Sequence, residues 1–234
     1  MKTSAMLKKF KLTHADFEKI KAATEKAESA TTGEIRTAIT AESAHYAFWE
    51  LLAAICTAAF VFAAALPFAE QLRNAYGRIS WSEYAWSLPA LYGLICFAII
   101  IVAFYIFNIP ALDKIIIPRA VRSANVSRRA FRFFAESGVY ATSEHSGILI
   151  FVSCMEKEVR IIADTGISAK ISHDLWQLIS DELASEIKAG NAAQGFINAI
   201  EKCGSLLAEN FPARAENPNE LPDGLVILED AEWY

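Results

Sequence analysis

The sequence predicts an α/β fold of an unusual build: a small three-layer-like α/β domain split by a transmembrane α-helical hairpin. Three observations lead there. Two stretches carry no charge at all, Leu51–Ala69 over 19 residues and Tyr84–Leu112 over 29. Short β-rich runs flank them, Glu34–Thr40 before and Gly147–Ser153 with Val159–Ala163 after. The first flank holds one helix and one strand, too little to bury a core in water without the second.

The uncharged stretches come first because they dominate the composition. Hydrophobic residues make up 54% of 234 and charged residues 21%, with a mean hydropathy of +0.26. About 20 apolar residues in a helix cross a hydrocarbon layer, so both stretches suffice, with spans at about 47–69 and 86–109 and a short loop between them. A core helix of that length would carry a polar stripe. In the intervening segment Tyr76, Trp81, Tyr84 and Trp86 are rings suited to the headgroup zone. Beyond the second span Lys114, Arg119, Arg122, Arg128, Arg129 and Arg132 stand against Asp113 alone. The positive-inside rule puts that flank in the cytoplasm, and two spans return the N-terminus to the same side. The expected location is a membrane, with both termini on its cytoplasmic side.

Lys plus Arg number 22 against 27 Asp plus Glu. A net charge of −5 gives no footprint for nucleic acid. Cys56, Cys96, Cys154 and Cys203 form no CxxC pair, which argues against a zinc cage and a disulfide framework.

Within the polar flanks the elements follow in order. Thr13 with Asp16 three residues on is a helix start, and Phe17, Ile20, Thr24 and Ala27 continue at helical spacing to about residue 30. Thr31-Thr32-Gly33 breaks it. Ile35, Thr37 and Ile39 alternate as a strand. After the hairpin, residues 120–136 read as a helix with Val121, Ala124, Ser127, Phe131 and Phe134 inward. Gly147–Ser153 is apolar almost throughout, as a doubly covered central strand is, and Val159–Ala163 returns as its hairpin partner. Two helices follow, about 172–189 with Leu175, Trp176, Ile179, Leu183 and Ile187 inward and about 191–208, jointed at Gly190. The divisions are therefore 10–45 and 113–212 as two parts of one domain, 46–112 as the hairpin, and 213–234 as an acidic tail in which Leu225–Leu228 can dock. The strand before the hairpin is expected to pair in parallel with Ile148–Val152.

Several of these segments together resemble one family. Thr32-Gly-Glu-Ile-Arg36, Gly138-Val-Tyr-Ala-Thr142, Glu144-His-Ser-Gly-Ile-Leu-Ile-Phe-Val-Ser153, Glu158-Val-Arg-Ile-Ile-Ala-Asp-Thr-Gly-Ile167, Trp176 and Asn219-Glu-Leu-Pro-Asp223 resemble the TPM domain family, in particular its bacterial membrane branch. The resemblance implies a compact α/β domain. Some members are credited with acid phosphatase activity and calcium binding, and another is an accessory subunit of a membrane receptor.

The candidate ligand-binding residues are Glu144, His145, Asp164, Thr165, Gly166 and Glu34. Asp164 ends a strand before Thr165-Gly166, where a carboxylate either binds a cation or ligand or closes an Asx-type turn. Glu144 and His145 occupy a loop that is polar in the family; solvated loop residues are the alternative. Glu34 points to the same sheet end or simply opens its strand. Asp164 and Glu144 are the metal-ligand candidates, and calcium the cofactor that the resemblance implies, since hard cations take oxygen ligands. No phosphate loop, HExxH or nucleophile motif is present. The expected work is binding or assembly as an accessory module at the cytoplasmic membrane face, with the lipid bilayer and another membrane protein as partners. The alternative is a weak, calcium-influenced TPM-type acid phosphatase.

Overall fold

A computed structural model describes residues 6–7, 10–79, 86–109, 112–142, 144–214 and 219–228. Trp81 and Tyr84 in the segment between the apolar helices, and residues 215–218 and 229–234 of the tail, lie outside the described residues. The chain forms two compact units, residues 46–119 and, from both flanks, residues 1–45 with 120–234.

In the flanking unit, helix α1 (His14–Glu28) starts where Asp16 Oδ2 accepts hydrogen bonds from both the Thr13 N–H, at 3.0 Å, and its hydroxyl, at 2.7 Å. Those bonds hold the Asp16 carboxyl below its ordinary pKa. Strand β1 (Glu34–Thr40) follows the break at Thr31–Gly33.

The other unit opens with α2 (Ala47–Ala65), which passes through a 3-10 turn at Leu66–Phe68 into α3 (Ala69–Ile79). The loop expected after residue 69 is thus helical as far as Ile79. Glu70–Ile79 has no proline, its one glycine, Gly77, stands in the last turn, and its charged residues are exposed. Then come α4 (Ser87–Phe107) and the short α5 (Asp113–Ile116). The start of α2 meets the end of α4 where the Asn108 side-chain amide donates to Glu50 Oε2 at 3.1 Å, so the two helices run antiparallel. Two helices here are long and apolar enough to cross a membrane, Ala47–Arg78 with mean hydropathy 2.3 and Pro89–Phe107 with 2.6.

Helix α6 (Arg119–Glu136) leads back to the sheet through a 3-10 turn at Val139–Ala141. Strands β2 (Gly147–Ser153) and β3 (Glu158–Ala163) form an antiparallel hairpin. They are followed by α7 (Thr165–Ser168), α8 (His173–Ala189), α9 (Ala192–Asn210) and β4 (Leu225–Leu228). Gly190 ends α8 at φ +87°, a left-handed turn that a side chain rarely adopts.

The sheet order is β3-β2-β1-β4. β1 runs parallel to β2, with Ile35 opposite Ile148 and Ile39 opposite Val152. β4 runs parallel to β1 on its other side, so Leu225–Leu228 docks by forming a strand. Parallel neighbours cannot be joined by a tight turn; the return from β1 to β2 goes by way of α6. One sheet face packs Ile35, Ile39, Ile148, Ile150 and Val152 against α1, α8 and α9, with Phe196 fully buried among them. The other face packs Ala38, Leu149 and Phe151 against Val126 and Ala130 of α6. Helices, sheet and helix make three layers.

Two inward faces differ from expectation. On α6 the buried residues are Val126 and Ala130, while Phe131 is 60% exposed. Leu149 and Phe151 fill the middle of that face, so the fully buried α6 positions are small, while Phe133 and the expected Phe134 pack partly buried at its margin. On α8, Ser180 lies inward with Trp176, Ile179 and Leu183, and Leu175 turns to solvent.

Truncation separates the core from the rim. Phe196→Ala should cost about 3–5 kcal/mol, whereas Phe131→Ala should change stability by under about 0.5 kcal/mol. Chemical denaturation of the two variants side by side checks the contrast.

Candidate functional site

The antiparallel hairpin brings the start of β2 beside the end of β3, where the Asp164 N–H donates to the Gly147 carbonyl at 3.0 Å. Asp164 then turns the chain. Its Oδ1 accepts from the Thr165 N–H at 2.6 Å and from the Thr165 hydroxyl at 3.2 Å, and its carbonyl accepts from Ile167 and Ser168. The Asx-type cap, one of the two readings open from sequence, is thus the arrangement adopted. Asp164 Oδ2 stands 3.3 Å from His145 Nδ1, which is also 3.3 Å from the Tyr140 carbonyl. The carboxylate is 8% exposed and the imidazole 62%. His145 holds a left-handed backbone, φ +51°.

Gly166 explains how closely the two loops meet. A Cβ there would lie 2.7 Å from the His145 carbonyl oxygen and 2.8 Å from that of Glu144. Glu144 itself faces another way: its Oε2 accepts from the Thr32 hydroxyl at 3.0 Å and its Oε1 pairs with the Arg214 guanidinium. The structure therefore gathers Glu144, His145, Asp164, Thr165 and Gly166 at one sheet end, but with the two carboxylates engaged separately. A guanidinium on Glu144 and an imidazole on Asp164 do not make a donor set for a calcium ion, which takes six to eight oxygens. Among the described residues no group of three or more His, Cys, Asp or Glu is arranged to hold a metal. An exposed imidazole backed by a carboxylate can move protons. Among the described residues its hydrogen-bond partners are the Asp164 carboxylate and the Tyr140 carbonyl, neither of which is a nucleophile or a cationic oxygen-binding group.

Glu34 shares that sheet end through its backbone, its N–H donating to the Ser146 carbonyl at 3.2 Å. Its side chain belongs to a different group. Glu34 Oε1 accepts from the Glu220 N–H at 3.3 Å, and Oε2 is buried without a hydrogen-bond partner among the described residues. Arg36 donates to the Pro222 carbonyl, and the Thr37 hydroxyl to the Gly224 carbonyl at 3.1 Å. Glu28 accepts from the Ile35 N–H at 2.8 Å and is hydrogen bonded to Asp223. Burial pushes the Glu28 carboxyl up to about 9, helped by the Asp223 bond and the charges of Glu34 and Asp223. Burial likewise raises Glu34 and lowers Arg36. Sequence reasoning missed this cluster as a unit. The one available signal was Asn219–Asp223, an acidic turn standing directly before the apolar run that pairs with β1.

Comparison with known proteins gives three results. Residues 115–206 match the TPM domain family. The NMR structure of BA42 protein from the psychrophilic bacterium Bizionia argentinensis is similar, with a TM-score of 0.53 and 21% identity over 92% of this chain and 94% of that one. At that identity the likeness is one of fold. No curated protein matches the chain.

The Glu28 carboxyl gives a pH prediction with a definite sign. A proton held in the folded chain but not in the unfolded one contributes stability that is fully present below pH 4.5 and lost as pH rises through about 9. Glu28→Gln keeps an acceptor for Ile35 and removes the titration. Its thermal midpoint should fall less between pH 5 and pH 9 than that of the wild type, and should equal or exceed it at pH 8.

Proposed function

With a TPM domain over residues 115–206 as the premise, we propose that the chain is a membrane-anchored binding or assembly module. The α2 and α4 helices span the bacterial cytoplasmic membrane as a hairpin, with α3 on the outer side, and both flanks fold together on the cytoplasmic side. The observation that carries this reading is the β1–β2 pairing, which joins segments on either side of the apolar helices into one sheet. Chain before and after the hairpin then has to lie on one side of the bilayer. The apolar helices support it too. Their most apolar windows are only 11% and 6% buried, unlike the core helices of a water-soluble domain. Phe60, Phe97 and Tyr105 are among the rings left facing outward, a surface that lipid would cover. The arginines of residues 113–132 set the direction.

The work assigned to the module is to hold another membrane protein or assist its assembly. A TPM-type phosphatase is the second reading, and the His145–Asp164 pair is what favours it. The chain's own part in such a reaction would be proton transfer at the imidazole, with Asp164 orienting the ring.

Two measurements decide between these. Single cysteines at Lys26, Arg73 and Lys157, probed in intact cells with a membrane-impermeant maleimide, should react only at position 73 until the cells are opened. Labels at 26 and 157 in opposite compartments would contradict the hairpin. Hydrolysis of a generic phosphate ester by the detergent-solubilised protein should stay at background and be indifferent to Asp164→Asn and His145→Ala. A fall of about 10²–10⁴-fold in those variants would favour the phosphatase reading.

A further inference from the structure

The chain passes from the second apolar helix to α6 with little in between. α4 ends at Phe107, the single turn of α5 covers Asp113–Ile116, and α6 begins at Arg119, the last residue of the unit that holds the apolar helices. With α4 spanning the membrane, the amino end of α6 stands close to the cytoplasmic headgroups. Chain connection fixes only that end. α6 has 18 residues, so its far end is about 27 Å from the headgroups if the helix stands upright and still among them if it lies flat.

The outward face of α6 favours the second arrangement. Val126 and Ala130 turn inward onto Leu149 and Phe151. Away from them, at spacings of three and four, Ala124, Arg128, Phe131, Arg132 and Ala135 form one exposed strip. Phe131 is 60% exposed within it. Arg132 pairs with Glu136, whereas Arg128 donates to the Asn125 side chain at 2.9 Å and, like Arg119, has no ion pair among the described residues. α5 repeats the combination nearer the span, with Ile115 82% exposed beside an exposed Lys114. Exposed arginines around a bare aromatic ring match the headgroup boundary, where the ring sinks toward the acyl chains and the guanidinium groups stay level with the phosphates.

We propose that α6 lies along the cytoplasmic leaflet and binds anionic phospholipid headgroups through Arg119, Arg128 and Arg132, with Phe131 seated among the acyl chains beneath them. The inference rests on the membrane-hairpin reading above and gives the module a lipid ligand. The positive-inside rule needs these charges only during insertion; here they keep α6 on the finished bilayer. An acidic protein segment would satisfy the arginines without any lipid, which makes it the occupant to test against.

The test reconstitutes the full chain into vesicles of phosphatidylcholine alone or with about 30% phosphatidylglycerol, an anionic lipid. An environment-sensitive fluorophore is carried by Ala135→Cys, with Cys56→Ala and Cys96→Ala; Cys154 and Cys203 are buried and stay unlabelled. Ala135 stands about 24 Å along α6 from Arg119, so nitroxide-labelled lipid quenches the fluorophore when the helix lies flat and not when it stands upright. Quenching in the mixed vesicles at least about twofold above that in phosphatidylcholine alone is expected, and Arg128→Gln should lower the ratio of docked to free label about fivefold. Arg128→Lys should restore it, and Phe131→Ser should lower it. Equal quenching in the two vesicles, or Arg128→Lys behaving as Arg128→Gln, would overturn the proposal. Fluorophore shielded from a water-soluble quencher by polyglutamate but not by anionic lipid would do the same by giving the face to an acidic protein. No quenching in either vesicle, with the chain still held through an alkaline wash, would refute the lipid surface and leave the hairpin standing; a chain released by that wash would refute both.

Discussion

The parallel pairing of β1 with β2 is the contact on which the other features depend. A parallel neighbour requires a crossover, and in this chain the crossover includes the whole of residues 46–119 before α6 returns to the sheet. Ile35, Ile39, Ile148, Ile150 and Val152 then share one face, and α1, α8 and α9 close over it. Without β1, that face would lose its middle and β4 its partner, because among the described residues β4 pairs with β1 alone. The apolar detour adds little to the entropic cost of closing the sheet, since that cost grows only with the logarithm of loop length.

The same pairing organises the polar groups. At the amino end of β1 and β2, backbone bonds from Glu34 to Ser146 and from Asp164 to Gly147 draw two loops together, and each loop then satisfies itself locally. His145 meets Asp164, and Glu144 meets Thr32 and Arg214. On the far side of β1, Glu28, Glu34 and Arg36 receive the segment that precedes β4. That segment is held by bonds to Glu34, Arg36 and Thr37 and by the Glu28 carboxyl, which burial pushes up to about 9.

Much of this was legible in the residues. β1 and β2 were read to their boundaries, since Gly33 and Gly147 punctuate them and strands covered on both faces are apolar throughout. Apolar size is only a partial guide to the inner face of α6: Phe134 packs beside Leu149 and Phe151 as expected, but the fully buried positions are the smaller Val126 and Ala130, and Phe131 is exposed. Leu225–Leu228 reads from sequence as an apolar run able to dock but not as a strand, for a four-residue strand is specified by the edge it joins rather than by its own pattern. The turn at Asp164 was visible locally. The carboxyl cluster was not, because Glu28 and Asp223 come from opposite ends of the chain and their proximity follows only from the completed sheet.

The most direct measurement is of methyl contacts across the β1–β2 seam in the full chain, with isoleucine and valine methyls labelled and the protein held in detergent. Nuclear Overhauser contacts joining Ile35 to Ile148 and Ile39 to Val152 are predicted, because directly paired residues of neighbouring strands project to the same face about 5 Å apart. Their absence, with the Ile35 and Ile39 methyls instead contacting detergent or residues outside the sheet, would contradict the account.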